Sequence, residues 1–265
     1  MMQISKVLAT LFSFLVPVLI WADDNPRFAV EYLAHAAFRL EAADGTAIVI
    51  DPYADRVWLS YDFPEGVEAD AWLVSHPHYD HDGGEYRGMQ PPWPPGAKIL
   101  RFPGEFEVGP FRVVGVAGRH AEPYGEEFGR FNTVWKIDVS GITLVHWGDN
   151  EPIDDTMAER LGKVDILMLP VDATEHLIST DAVDEIVARL EPRILIPMHY
   201  RLADLEPSPD RPKNLGPIDP WLMNREGVLR HESNRLEILQ SEFPESGTQI
   251  LILRHSPLVH PPTDG

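Results

Sequence analysis

Short apolar runs rich in β-branched and aromatic residues fill the first half of the chain, and longer helical spacings enter only in the second half. Strand patterns cover Phe28 to Ala42, Ala47 to Asp51, Ala71 to Ser75, Lys98 to Phe102, Phe111 to Val116, Thr133 to Asp138 and Ile142 to His146. Ser140-Gly141, between the last two, is a pair suited to a tight hairpin turn. Beyond that point apolar residues recur three and four apart, which predicts helices over Asp154 to Leu161 and Thr180 to Leu190. Each leads into a continuous apolar run, Asp165 to Val171 and Ile194 to Met198, of the length expected for a buried strand. Proline assigns Pro91-Pro92-Trp93-Pro94-Pro95 and the stretch Glu206 to Pro220 to loops, because its ring and missing N–H exclude it from element interiors. The order is β-rich first and β/α after, an α/β pattern without internal repeat. Neither proline-rich loop is long enough to separate domains, so residues 23–265 are expected to form a single one.

The residues before that domain carry a different pattern. Lys6 precedes an apolar run from Val7 to Trp21, and Ala22 stands before the acidic pair Asp23-Asp24. This reads as a secretory signal peptide over residues 1–22, cleaved near Ala22. The alternative is a retained anchor, but the run is shorter than the roughly 20 residues a spanning helix requires. A periplasmic or secreted address follows, with no membrane insertion after cleavage.

Composition narrows the chemistry. With 22 Lys+Arg against 42 Asp+Glu the formal charge is −20, which repels phosphate backbones and disfavours a nucleic-acid partner. The 44% hydrophobic content of the 265 residues suffices for a packed core. There is no cysteine, so disulfides, thiolate nucleophiles and Cys-containing metal sites are excluded, and any metal must be held by His and carboxylate.

The eleven histidines are unevenly placed. Ser75-His76-Pro77-His78-Tyr79-Asp80-His81 follows directly on the apolar run from Ala71, and a His-x-His-x-Asp-His cluster of this kind seldom arises by chance. A loop leaving a strand can aim His76 and His78 at one point and Asp80 and His81 at another, which suits two metal ions. Two cations so close need further ligands, including a carboxylate between them to offset their repulsion. His120, Asp149 and His199 fit, each just past a predicted strand. Singly, each also has an ordinary structural reading, and together with the loop they make two nearly balanced sets. His35, Asp51 and His146 are candidates to orient those ligands, since a ligating imidazole usually has its other ring nitrogen held by an acceptor.

At these residues the chain resembles the metallo-β-lactamase superfamily, and within it the branch of small metal-dependent hydrolases related to the L-ascorbate-6-phosphate lactonases. The resemblance runs from about Phe28 to His255 and rests on Leu33-Ala34-His35-Ala36-Ala37-Phe38, Ile50-Asp51-Pro52-Tyr53, the His76 to His81 loop, His120, Asn132-Thr133, His146-Trp147-Gly148-Asp149 and Ile196-Pro197-Met198-His199-Tyr200. It implies an αβ/βα four-layer sandwich with metals at the sheet edges. It also implies His76, His78 and His120 on one metal, Asp80, His81 and His199 on the other, and Asp149 bridging. Ala34 and Asp172-Ala173 depart from the glycines usual in the branch; they lie outside the ligand set and bear on pocket shape.

The expected activity is hydrolysis of a small ester, lactone or phosphodiester by hydroxide formed between two divalent ions, zinc first, with manganese or iron as alternatives. Asp149 would act by bridging and Asp80 by shuttling a proton. The commonest di-zinc β-lactamases have a cysteine ligand, so antibiotic hydrolysis is a minority reading. A non-catalytic metal-binding or interaction protein on the same fold is the reading from a different class, and the intact set of seven ligands favours the enzyme. Trp58, Tyr61, Trp93, Tyr124, Arg130 and Arg201 are candidates for contacting a small-molecule substrate, the arginines for a carboxylate or phosphate.

Overall fold

The computed structural model describes residues 28–202, 204–205 and 215–260; the expected signal peptide and most of the Glu206 to Pro220 loop lie outside the described residues. Two sheets face each other. The first contains β1 (Phe28–Ala34), β2 (Ala37–Ala42), β3 (Ala47–Ile50), β4 (Ala71–Leu73), β5 (Ile99–Leu100) and β13 (Arg235–Ile238), in the order β13-β1-β2-β3-β4-β5. The second contains β6 (Gly104–Val108), β7 (Phe111–Arg119), β8 (Phe131–Val139), β9 (Ile142–His146), β10 (Ile166–Pro170), β11 (Ile194–Met198), β12 (Val228–Arg230) and β14 (Gln249–Ile252), in the order β12-β14-β11-β10-β9-β8-β7-β6. The α-helices are α1 (Asp155–Leu161), α2 (Thr180–Leu190) and the short α3 (Asp219–Leu222).

Register shows which side chains face the second sheet. Val30, Leu40, Ile48 and Ala71 lie in one cross-strand row and Phe38, Ile50 and Leu73 in another, all buried. The alternate rows point outward and carry Glu31 against Arg39, and Val49 against Trp72. Phe63 and Trp93, from loops, cover Trp72 on that outer face with ring centroids 6.3 and 5.9 Å away. The helices that flank the second sheet are therefore answered on the first by aromatic loops and a charged ladder in which Arg39 pairs with Glu41 at 2.6 Å.

In the second sheet β10 and β11 are buried along their whole length, as expected of parallel strands covered on both faces. Asp154 and Ser179 cap α1 and α2, their side chains accepting from Met157 N at 2.6 Å and Ala182 N at 3.2 Å. Ser140 and Gly141 both have positive φ, 52° and 78°, and close β8 onto β9 as a two-residue hairpin.

Three expectations are corrected. The run Phe28 to Ala42 is two antiparallel strands, broken at His35-Ala36, where His35 takes φ 56°. Asp219 and Pro220, at the end of the expected proline-rich loop, open α3, since proline is tolerated in a first helical turn. The strands β6, β12, β13 and β14 were not expected; the edge strand β12 has three residues and no alternation to read, and the alternation of the edge strand β6 runs for only five residues.

The sheets are joined at one edge by backbone hydrogen bonds. Thr133 N donates to Ser75 O at 2.8 Å, His199 N to His35 O at 3.0 Å and Ser256 N to Leu33 O at 2.8 Å. That edge is where the strand-end loops gather.

Candidate metal centre

The candidate ligands sit in the segments that leave strand ends at this edge, so side chains distant in sequence converge there. Two groups form. His76, His78, His120 and Asp149 have one potential ligand atom each within 4.8 Å of the others, and so do His35, Asp80, His81 and His199. The seven expected residues are thus all assembled, in the two expected sets. His35 joins the second set, where it had been expected only to orient a ligand.

Asp149 stands between the groups. Its Oδ2 lies 3.7 Å from His76 Nε2, 3.5 Å from His120 Nε2 and 3.4 Å from His199 Nε2, and its Oδ1 lies 3.3 Å from His81 Nε2. Asp80 faces the second set alone, with Oδ2 at 3.1 Å from His35 Nε2, 3.5 Å from His81 Nε2 and 3.8 Å from His199 Nε2. Most of these separations are long for hydrogen bonds. They suit ligands sharing a cation, because two donors each about 2.1 Å from a tetrahedral zinc stand roughly 3.4 Å apart. The Nε2 atoms of His81, His120 and His199 and the Oδ1 of Asp149 are buried without a hydrogen-bond partner, a costly state that a shared cation relieves. Nitrogen and oxygen donors without sulfur fit zinc, manganese or iron. The residues therefore fit a pair of divalent cations.

The far side of most imidazoles is held. His81 Nδ1 lies 2.8 Å from Asp51 Oδ2, and the same carboxylate accepts from Ser75 N and Ser75 Oγ at 2.7 and 2.6 Å. His120 Nδ1 faces Ala121 O at 2.8 Å, and His76 Nδ1 faces Ser75 Oγ at 2.9 Å. His78 turns Nδ1 toward His76 and Nε2 toward Glu127 Oε1 at 3.3 Å. His146 is a structural tie: its Nε2 contacts Ala36 O at 2.9 Å and its Nδ1 accepts from Gly148 N at 3.2 Å, which fixes the turn carrying Asp149. Gly148 itself has φ 59° and no room for a side chain, a Cβ there meeting Asn132 Oδ1 at 2.6 Å.

Charge separates the two sets. Burial lowers the pKa of His76 and His78, leaving them neutral as ligation requires. Burial also opposes protonation of His81 and His199, but the Asp149 carboxylate prevails, raising His81 well above its ordinary value and His199 to about 9. Against the same burial, these imidazoles hold Asp80 and Asp149 well below the usual carboxylate range. Without metal, the protons of His81 and His199 face the Asp80 and Asp149 carboxylates, with Asp51 behind His81.

A pocket of about 390 Å³ opens onto the cluster. Trp58, Tyr124 and His176 build one wall, with His176 stacked between Tyr124 at 4.8 Å and Trp58 at 5.7 Å. Arg87 and Glu127, paired at 3.1 Å, stand on the rim. Of the expected substrate contacts Trp58 and Tyr124 line this pocket, and the other four do not. Tyr61 is buried against Tyr53, and Trp93 packs on Trp72. Arg130 supports the ligand loop from below, its guanidinium donating to His120 O at 2.7 Å and pairing with Glu151 at 3.1 Å. Arg201 lines a separate cavity. His176 and Arg87 were missed, for each is an isolated residue with no spacing signal.

The sequence model of a family described as "Beta-lactamase superfamily domain" matches residues 29–199. A metal-dependent hydrolase of Thermococcus onnurineus is 28% identical over 193 residues, 64% of this chain and 84% of that protein. One from Carboxydothermus hydrogenoformans is 26% identical over 215 residues, 71% of this chain and 93% of that protein. A solved structure from Thermotoga maritima, described as a Zn-dependent hydrolase of the metallo-β-lactamase superfamily, superimposes with a TM-score of 0.63 at 25% identity, covering 86% of this chain and all of that one.

Proposed function

The chain belongs to the metallo-β-lactamase superfamily and is a metal-dependent hydrolase, and from that premise we propose that it cleaves a small ester, lactone or phosphodiester at a two-metal centre. The observation that carries the reading is Asp149, whose carboxylate faces histidines of both sets at 3.3–3.7 Å and so can bridge two cations. His76, His78 and His120 would hold one ion, Asp80, His81 and His199 the other, with His35 beside the second. Zinc is the first choice on donor type, with manganese and iron as alternatives.

Two such cations, when bound, bring water to hydroxide near neutral pH and polarise the oxygen of the bond under attack. The chain's own groups do the rest. Asp80 lines the pocket, and His35 holds its Oδ2 at 3.1 Å, leaving Oδ1 to accept a proton and return it to the leaving oxygen. Trp58, Tyr124 and His176 wall off one side from water, and Arg87 offers the rim a cation for an anionic substrate group. In ester cleavage one water and one ester give one carboxylic acid and one alcohol.

A screen of lactones, carboxylic esters and phosphodiesters with metal-loaded protein, alongside metal analysis, tests the reading. Turnover with close to two ions per chain supports it; fewer than one ion after purification without chelator and with metal supplied overturns it. Export is a further element of the same proposal. N-terminal sequencing of protein from its native compartment is expected to begin near Asp23, and an intact Met1 would refute cleavage.

A further inference from the structure

We infer that a second, apolar subsite lies beside the metal pocket and receives the hydrocarbon arm of an amphipathic ester or lactone, an inference that rests on the hydrolytic reading above. A cavity of about 340 Å³ lies behind the His76 loop, lined chiefly by Val74, Pro77, Tyr86, Phe102, Phe128 and Phe131, with His76 itself contributing to the lining. Six large hydrophobic side chains are exposed among the described residues, and two of them, Phe102 at 66% and Tyr86 at 53%, stand at this cavity. Aromatic surface left in water around a concavity marks a binding site more often than a packing accident.

Only a thin partition separates this cavity from the metal pocket. It consists of two short 3₁₀ turns, Glu85–Arg87 and Glu126–Phe128. Arg87, Glu126 and Glu127 line the metal pocket, while Glu85, Tyr86 and Phe128 line the apolar one. The turns meet through the Arg87–Glu127 pair and through Tyr86 against Phe128, centroids 6.4 Å apart. The Phe128 ring lies 4.8 Å from that of His78 and 5.9 Å from those of His76 and His120. A chain lying against Phe128 is therefore one ring away from three ligand imidazoles, and to join a head group at the metal pocket it would pass over the exposed Arg87–Glu127 pair, the solvent-facing edge of the partition.

The polar groups around the cavity select against a charged occupant. Arg101 and Glu85 are bonded to each other. Asp82 accepts from Gly84 N and Tyr86 N at 2.8 and 2.9 Å. With those groups satisfied, burial of hydrocarbon is the interaction the cavity offers, and the arm of a substrate already held at the metals loses least entropy on entering it.

The test uses the metal-loaded full chain and 4-nitrophenyl esters from acetate to octanoate. On the subsite reading kcat/KM rises roughly tenfold or more along the series, as expected for burial of several methylenes. Phe102→Asp, a change at an exposed position outside the ligand set, is expected to abolish the rise while leaving acetate turnover and metal content unchanged; Tyr86→Asp is the second variant should the first fail to fold. Decanoate binding by calorimetry gives a readout independent of turnover, expected in the wild type and weakened at least tenfold in the variant. If acetate and octanoate are turned over equally, or the rise survives in both variants, the subsite is overturned and the hydrolase stands. If no ester is turned over, the hydrolytic reading is decided by the lactones and phosphodiesters of the wider screen and the subsite by decanoate alone: binding lost in the variants supports the subsite, and no binding by the wild type overturns it.

Discussion

The two ligand groups use the same residue types and share the His76 to His81 loop, yet they are built on different electrostatics. The His76, His78 and His120 group has one carboxylate, shared Asp149, and two of its histidines are kept neutral by burial; it reaches the rim through His78 and half-exposed Glu127. The His35, Asp80, His81 and His199 group lies deeper, sees both carboxylates and has Asp51 fixed behind His81. In the metal-free chain burial keeps His76 and His78 of the outer group neutral, whereas carboxylates hold protons on His81 and His199 of the inner one. On the two-metal reading proposed above, the difference implies that the two sites would load by different chemistry: the outer by coordination, the inner by exchange of a cation for protons.

Removing the shared residue breaks the comparison outright. Asp149→Ala is expected to lower metal content from about two ions per chain to below one and to cut kcat/KM by roughly a thousandfold or more, both read on the same preparation. If the variant keeps two ions and full turnover, Asp149 is not a bridge. Touching the inner group more than the outer should separate the two, because Asp51 contacts His81 directly and His76 only through Ser75 Oγ. Asp51→Asn takes the charge from behind His81 and is expected to weaken one ion by roughly 10–100-fold while the other is retained, as measured by competition with a chromogenic chelator.

The proton balance sharpens the contrast further. Loading at pH 7.5 is expected to release about two protons, from His81 and His199, which calorimetry in buffers of different ionisation enthalpy would count. His199 is raised from 6.5 to about 9, so its stabilising contribution to the metal-free chain is complete below about pH 6.5 and is lost as pH rises through about 9. The Tm of chelator-treated protein should accordingly fall across that window, and that of loaded protein should not. The smallest effect is expected at the rim. Glu127→Gln removes a half-exposed partner of His78 and should weaken the outer ion by less than about tenfold, because solvent screens the lost charge. His231→Ala, remote from both groups, should change neither metal content nor stability beyond roughly 0.5 kcal/mol.

What the sequence exposed and what it hid follow from the range of the signals. The His76 to His81 loop was legible because four donors fall within six residues, and His120, Asp149 and His199 because each ends a readable apolar run. The inner position of His35 was hidden by the run Phe28 to Ala42, whose unbroken pattern conceals the turn that gives His35 φ 56° and aims its ring at Asp80. His176 and Arg87 reach the pocket from turns with no periodicity, so only the assembled fold reveals them. The edge strand β12 escaped because three residues are too few to show a period, and β6 because its alternation of Phe106 and Val108 with Glu105 and Glu107 is confined to five residues.

The hydrogen bond from His199 N to His35 O has a kinetic meaning. It joins the first strand of one sheet to the last ligand-bearing strand of the other, so the inner group cannot exist until nearly the whole chain between them has been threaded into place. Contacts of such sequence separation form late, because the entropy of closing the intervening loop must be met first. Before that contact forms, the chain offers only the outer donors, His76, His78, His120 and Asp149, and the inner set waits for the docking of His199 beside His35. An ion bound by the inner set would then act as a latch on a finished fold: it should slow unfolding far more than it speeds folding.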